Sequence, residues 1–139
     1  MKSAEYRHGL GERGRIALVV VALASAGGPG CSQSAPEADA GRAIASAFLD
    51  EIRQGRVDAA WDGTTAEFKS RLGLEGLRGL VRKNRALREP AEFVAFAPVE
   101  RNGLNLAEYS FRSAKGKKPV KVILAREDGA WKVEWLSLE

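Results

Sequence analysis

The chain has 139 residues, 45% of them hydrophobic and 29% charged, with a formal net charge of +4. That is enough apolar content for one folded domain with an attached segment, and it argues against global disorder. One Cys and one His exclude an internal disulfide and a Cys/His zinc site, and the His is His8, so a Ser-His-Asp or Cys-His mechanism would have to run from the first ten residues.

The N-terminal stretch is built differently from the rest. Lys2, Arg7, Arg13 and Arg15 outweigh Glu5 and Glu12, and Ile16 to Ala26 follows as an uncharged run ending in Gly27-Gly28-Pro29-Gly30 and Cys31. A basic stretch, a short apolar run and small residues form a secretory signal. The eleven-residue run reaches about 16 Å as a helix, roughly half a bilayer core, which disfavours a permanent span. Cys31 is the only cysteine, and Ser32-Gln33-Ser34-Ala35-Pro36-Glu37-Ala38-Asp39 reads as a flexible tether. Residues 1–30 are therefore read as a signal, 31–38 as a tether and 39–139 as the folded domain. Without residues 1–30 the charge falls from +4 to +2, and no His remains.

Ile44, Phe48 and Ile52 recur every four residues with Ala45 and Leu49 beside them, so 39–55 reads as a helix closed by Gly55. Residues 57–62 read as a short helix capped by Asp58, and Thr64 with Glu67 reads as a capping box restarting a helix through Leu72. Residues 74–88 read as a third helical segment, weakened by Gly73, Gly76 and Gly79 and stopped by Pro90. Beyond Pro90 the period becomes two. Phe93, Ala95 and Ala97 alternate with Val94 and Phe96; Ala107, Tyr109 and Phe111 share a face; Val120, Val122 and Leu124 alternate; and Trp131, Val133 and Trp135 alternate with Lys132 and Glu134. Arg101-Asn102-Gly103 is a turn signal, and Glu127-Asp128-Gly129 is a hairpin turn. Helices followed by strands on short turns give an α+β fold with an antiparallel sheet.

Two resemblances attach to these residues. Residues 1–31 resemble a bacterial lipoprotein signal, in which the cysteine becomes the first mature residue and carries lipid. This implies a membrane anchor at Cys31 and, with Ser32 next, the periplasmic face of the outer membrane. An ordinary signal cut near Ala24 or Ala26 stays open, leaving Cys31 a free thiol in a periplasmic or secreted protein. The segments Ala47-Phe48-Leu49, Gly55-Arg56-Val57-Asp58-Ala59-Ala60-Trp61, Thr64-Thr65 and Phe68, with Asp128-Gly129-Ala130-Trp131-Lys132-Val133, resemble the nuclear transport factor 2-like (cystatin-like α+β) superfamily. Small envelope lipoproteins of unknown function carry similar segments. The resemblance implies helices wrapped onto a strongly curved sheet as a cone.

That superfamily includes ketosteroid isomerase-like and polyketide cyclase-like enzymes, in which an acid or His base and a Tyr donor act inside the cone. Here Tyr109 would be the donor and Asp58 or Asp62 the base; the plainer roles are core aromatic, helix cap and surface acid. With no His left in the domain, the expectation is a non-catalytic protein with no cofactor or metal, binding a partner protein or an apolar ligand. Trp61, Tyr109, Phe111, Trp131 and Trp135 are the aromatics that would line such a pocket. An isomerase or cyclase on the same fold is the alternative. Two basic clusters remain, Arg78, Arg82, Lys83, Arg85 and Arg88, and Lys115, Lys117, Lys118 and Lys121. They suit solubility, anionic lipid or an acidic partner. Export and the charge of +2 leave no role for nucleic acid.

Overall fold

The computed structural model describes residues 38–116 and 118–139. Cys31, the signal and most of the tether lie outside the described residues. Helices α1 (Ala38–Arg53), α2 (Val57–Asp62), α3 (Ala66–Arg71) and α4 (Leu74–Lys83) and a 3₁₀ turn (Arg85–Leu87) precede strands β1 (Ala91–Arg101), β2 (Leu104–Ser113), β3 (Val120–Glu127) and β4 (Ala130–Leu138). The strands form one antiparallel sheet in sequence order. The α+β architecture is as the residue pattern predicts.

α1 buries Ala45, Phe48, Leu49 and Ile52, a stripe at i, i+3, i+4 and i+7. Each of its large apolar side chains contributes about 1.5–3 kcal/mol on leaving water. Gly55, at φ +78°, ends the helix: its N–H donates to Ile52 O and the Arg56 N–H to Glu51 O, a Schellman closure. Phe48 meets Phe68 of α3 edge-on at 6.2 Å.

Two capping expectations are corrected. Asp58 does not cap α2; the residue at that cap is Arg56, with no side-chain bond, and Asp58 lies in the first turn, paired with Arg78 of α4 at 2.6 Å. The cap of α3 is Thr65, whose Oγ1 accepts from Phe68 N at 3.1 Å, not Thr64, which is buried one residue earlier. Thr64 instead donates to Trp61 O and forms a parallel bridge with Val133, with Thr65 N–H donating to Val133 O at 3.0 Å. The helical region is thereby stitched to the outer edge of β4.

The third predicted segment divides. Asn84 leaves helical geometry, its Nδ2 donates to Leu80 O at 2.8 Å, and a 3₁₀ turn follows that brings Leu87 into the core. Capping of a late carbonyl by a side chain ends the α-helix before Pro90 needs to.

The hairpin residues Asn102-Gly103 and Asp128-Gly129 all have positive φ, 53°, 74°, 51° and 78°, the geometry of two-residue primed turns. Two irregularities in the ladder were not anticipated. Between Phe93 and Ala95 of β1 the register shifts, so Phe93 and Phe96 both pack on the core while Val94 and Ala95 are exposed. In β4, Trp135 pairs with Ile123 and Val133 with Leu124, so Glu134 is the extra residue of a bulge. Val133 therefore faces the helices, and Trp135 turns to the other face of the sheet.

Candidate functional site on the back of the sheet

The structure does not gather the five predicted aromatics into one pocket. Tyr109 and Phe111 are buried in the core under the helices, and Trp61 and Trp131, half-buried, pack against that same core. Trp61 Nε1 donates to Leu72 O at 3.0 Å, and Lys69 Nζ lies 5.1 Å above its ring. Tyr109 is wholly enclosed, with Phe96 5.1 Å and Phe93 6.4 Å from its ring. Burial pushes its phenol pKa upward, and its hydroxyl has no hydrogen-bond partner among the described residues. Asp58 is exposed and committed to Arg78; Asp62 is exposed at the end of α2 and offers its backbone carbonyl to Lys69. Neither bonds to Tyr109.

Trp135 stands apart from the other four. On the face of the sheet away from the helices, Leu106, Ile123 and Ala125 form a second apolar cluster joined by Val99 and Trp135. Leu104, 52% exposed, extends it to the β1–β2 turn. Trp135, Leu104, Leu106 and Ile123 floor a groove of about 300 Å³, with Arg71 and Arg101 on its rim. The Arg71 guanidinium lies 5.1 Å over the Trp135 ring while pairing with Glu67 at 2.6 Å. A guanidinium held over an indole is attracted by the ring's negative face and screens part of it from water.

The position of Trp135 is set by a chain of local causes. Thr65 Oγ1 donates to Glu134 Oε2 at 2.5 Å, so the residue that caps α3 also holds the bulge residue of β4. Nearby, Ala66 N–H donates to Glu127 Oε2 at 2.7 Å, and Lys132 pairs with Glu127 at 3.1 Å. The Ala66 N–H, then Lys132, hold the Glu127 carboxyl below its usual pKa. α3 is thus fastened to the sheet near the groove, carrying Arg71 with it.

Leu104 and Leu106 gave a readable sign of this surface, since they fall on the strand face opposite Ala107, Tyr109 and Phe111. The bulge that adds Trp135 has no such sign.

A second groove, about 460 Å³, lies between α1 and the start of β1. Half-buried Phe93 contributes apolar surface over buried Phe111, and Arg42, Asp50, Arg53 and Glu92 supply charge. Arg42 sits 4.7 Å over Phe93, and Arg53 pairs with Asp50. No helix among the described residues is long and apolar enough to cross a membrane, and no group of acidic, His or Cys side chains there could hold a metal ion.

Neither a family model nor a curated protein matches the chain.

Proposed function

We propose that the chain is an exported, lipid-anchored binding protein: a nuclear transport factor 2-like domain tethered through Cys31 that engages a protein partner in the cell envelope with the back of its sheet. The observation that carries this reading is the groove floored by Trp135, Leu104, Leu106 and Ile123 beneath Arg71. Buried aromatic and arginine side chains dominate protein interfaces, and exposed apolar surface with a polar rim marks them. The rim carries Arg71 and Arg101 against Glu67 and Glu134, so its charges balance. Such a rim suits a protein segment that inserts an apolar side chain between groups of both signs, and it suits a phosphate-rich ligand poorly.

The closed environment of Tyr109 and the outward pairing of Asp58 supply no support for the isomerase reading. The apolar-ligand reading is best accommodated by the α1–β1 groove, where half-buried Phe93 reaches the surface beside Arg42 and above buried Phe111. Ser46→Trp, which fills that groove, would abolish uptake of a fluorescent fatty-acid probe if that reading holds.

Photo-cross-linking from position 104 tests the partner reading. The expected adduct joins the chain to a different envelope protein. It is lost in Trp135→Ala and kept in Arg112→Gln, an exposed change at the other end of β2. Loss of a central interface tryptophan weakens binding at least about thirtyfold. An adduct of twice the chain's own mass, or one indifferent to Trp135→Ala, would overturn the reading.

A further inference from the structure

The two basic clusters are separate in sequence and meet in the fold. The C-terminal end of α4 and the 3₁₀ turn lie against the β2–β3 connection, and between them is a depression of about 400 Å³. Lys83 and Arg85 stand on one side and Lys118 on the other, while Ala86, Pro119 and Leu138 supply apolar surface. Arg85 pairs with Glu89 at 2.5 Å. Among the described residues, Lys83, Lys118, Arg82, Arg88 and Lys115 enter no ion pair, and all five are exposed. The one carboxylate lining the depression, Glu139, is taken by Lys121 at 2.5 Å. Free cations from two segments therefore surround a partly apolar hollow.

We propose that this end of the sheet is a membrane-contact surface that seats the phosphate headgroups of anionic lipids. Three features favour a bilayer. The cations are mostly lysines on projecting segments, whose long stems can lie along apolar surface while the ammonium reaches phosphate. The apolar lining suits the glycerol and upper acyl region below a headgroup. Anionic leaflets attract such clusters, each basic residue near the surface strengthening binding about fivefold. An anchor at Cys31 would leave six residues before α1, a reach of at most about 21 Å, which keeps the domain beside its membrane. The surface differs in place and charge from the Trp135 groove, and it stands or falls without it.

Flotation of the mature, lipid-anchored chain with vesicles tests the proposal, comparing phosphatidylcholine alone with equal parts phosphatidylcholine and phosphatidylglycerol. The lipid anchor inserts into both, so the difference between them reads the basic surface. The expected result is preferential binding to the anionic vesicles, reduced on raising the salt severalfold. Lys83→Gln with Lys118→Gln should lower that preference roughly twenty- to thirtyfold. Lys69→Gln with Arg126→Gln removes the same charge from the opposite end of the sheet, near Glu127, and should leave the preference nearly unchanged. Equal losses in the two double variants would show a bulk-charge effect and overturn the proposal, as would equal binding to both vesicle types. Polyglutamate competing as effectively as anionic vesicles would assign the surface to acidic proteins and overturn it too. Unchanged melting temperatures of both double variants would show that folding is not the cause.

Discussion

Tyr109 and Thr65 show how much one side chain can decide. Tyr109 carries a hydroxyl into a fully enclosed site with no partner among the described residues, and an unmet buried donor costs about 1–3 kcal/mol. Removing that hydroxyl should therefore relieve a penalty. Tyr109→Phe is expected to be neutral or to stabilise by up to about 1 kcal/mol in chemical denaturation. A loss of several kcal/mol would instead mean that the hydroxyl has a structural partner. Thr65 is the opposite case, since its one hydroxyl accepts from Phe68 N and donates to Glu134. Thr65→Val keeps the shape and removes both bonds, and should cost about 1–2 kcal/mol. It should also weaken cross-linking from position 104, because the bulge that turns Trp135 outward loses its tie. The aromatic identity of Tyr109 was legible as a core position from strand alternation alone. The role of Thr65 was not: adjacent threonines offer two equivalent caps, and the choice rests on pairing with Val133, far away in sequence.

Among the elements, α4 and the β3–β4 hairpin give opposite lessons about local sequence. Gly79 sits inside α4, and a Cβ there would meet nothing within 4 Å. Gly79→Ala should raise stability by about 0.5–1 kcal/mol, read as a higher melting temperature. Gly76→Ala should gain less, because its Cβ would come 2.7 Å from Leu72 Cδ1, the end of a flexible side chain that has to move. Glu127, at the end of β3, links the sheet to the start of α3. Its pKa is lower in the fold than the ordinary 4.5. Its contribution is therefore fully present above that ordinary value and is lost as pH falls through the lower folded value. Glu127→Gln should flatten the acid side of the stability-versus-pH curve below about pH 5 relative to wild type. A variant curve parallel to wild type in that range would remove Glu127 from the acid response. Helix existence, strand order and both glycine turns were readable because each rests on residues close in sequence. The bulges at Val94 and Glu134 were not, since a register shift belongs to a pair of strands, and one shift sends every later side chain to the other face.

At the scale of the whole molecule, the front of the sheet is closed by helices, and the open surfaces lie elsewhere. The resemblance implied a cone, and five aromatics at core spacing look the same whether they surround a ligand or one another. Packing distinguishes the two: four belong to the main core, and Trp135 leaves it for the back. The two basic clusters were visible residue by residue, but their meeting at one end of the sheet depends on where α4 stops and how β2 returns to β3. As proposed, a tethered domain would turn a partner surface outward on one face and a headgroup surface at one end. Both gain their meaning from a membrane held close by, so the anchor is the central claim. The intact mass and N-terminal peptide of the mature chain, purified from its native membrane, test that claim most directly. The account predicts a chain beginning at Cys31 with lipid on its sulfur and amino group. A mature chain beginning at residue 25 or 27, with Cys31 unmodified, would contradict it.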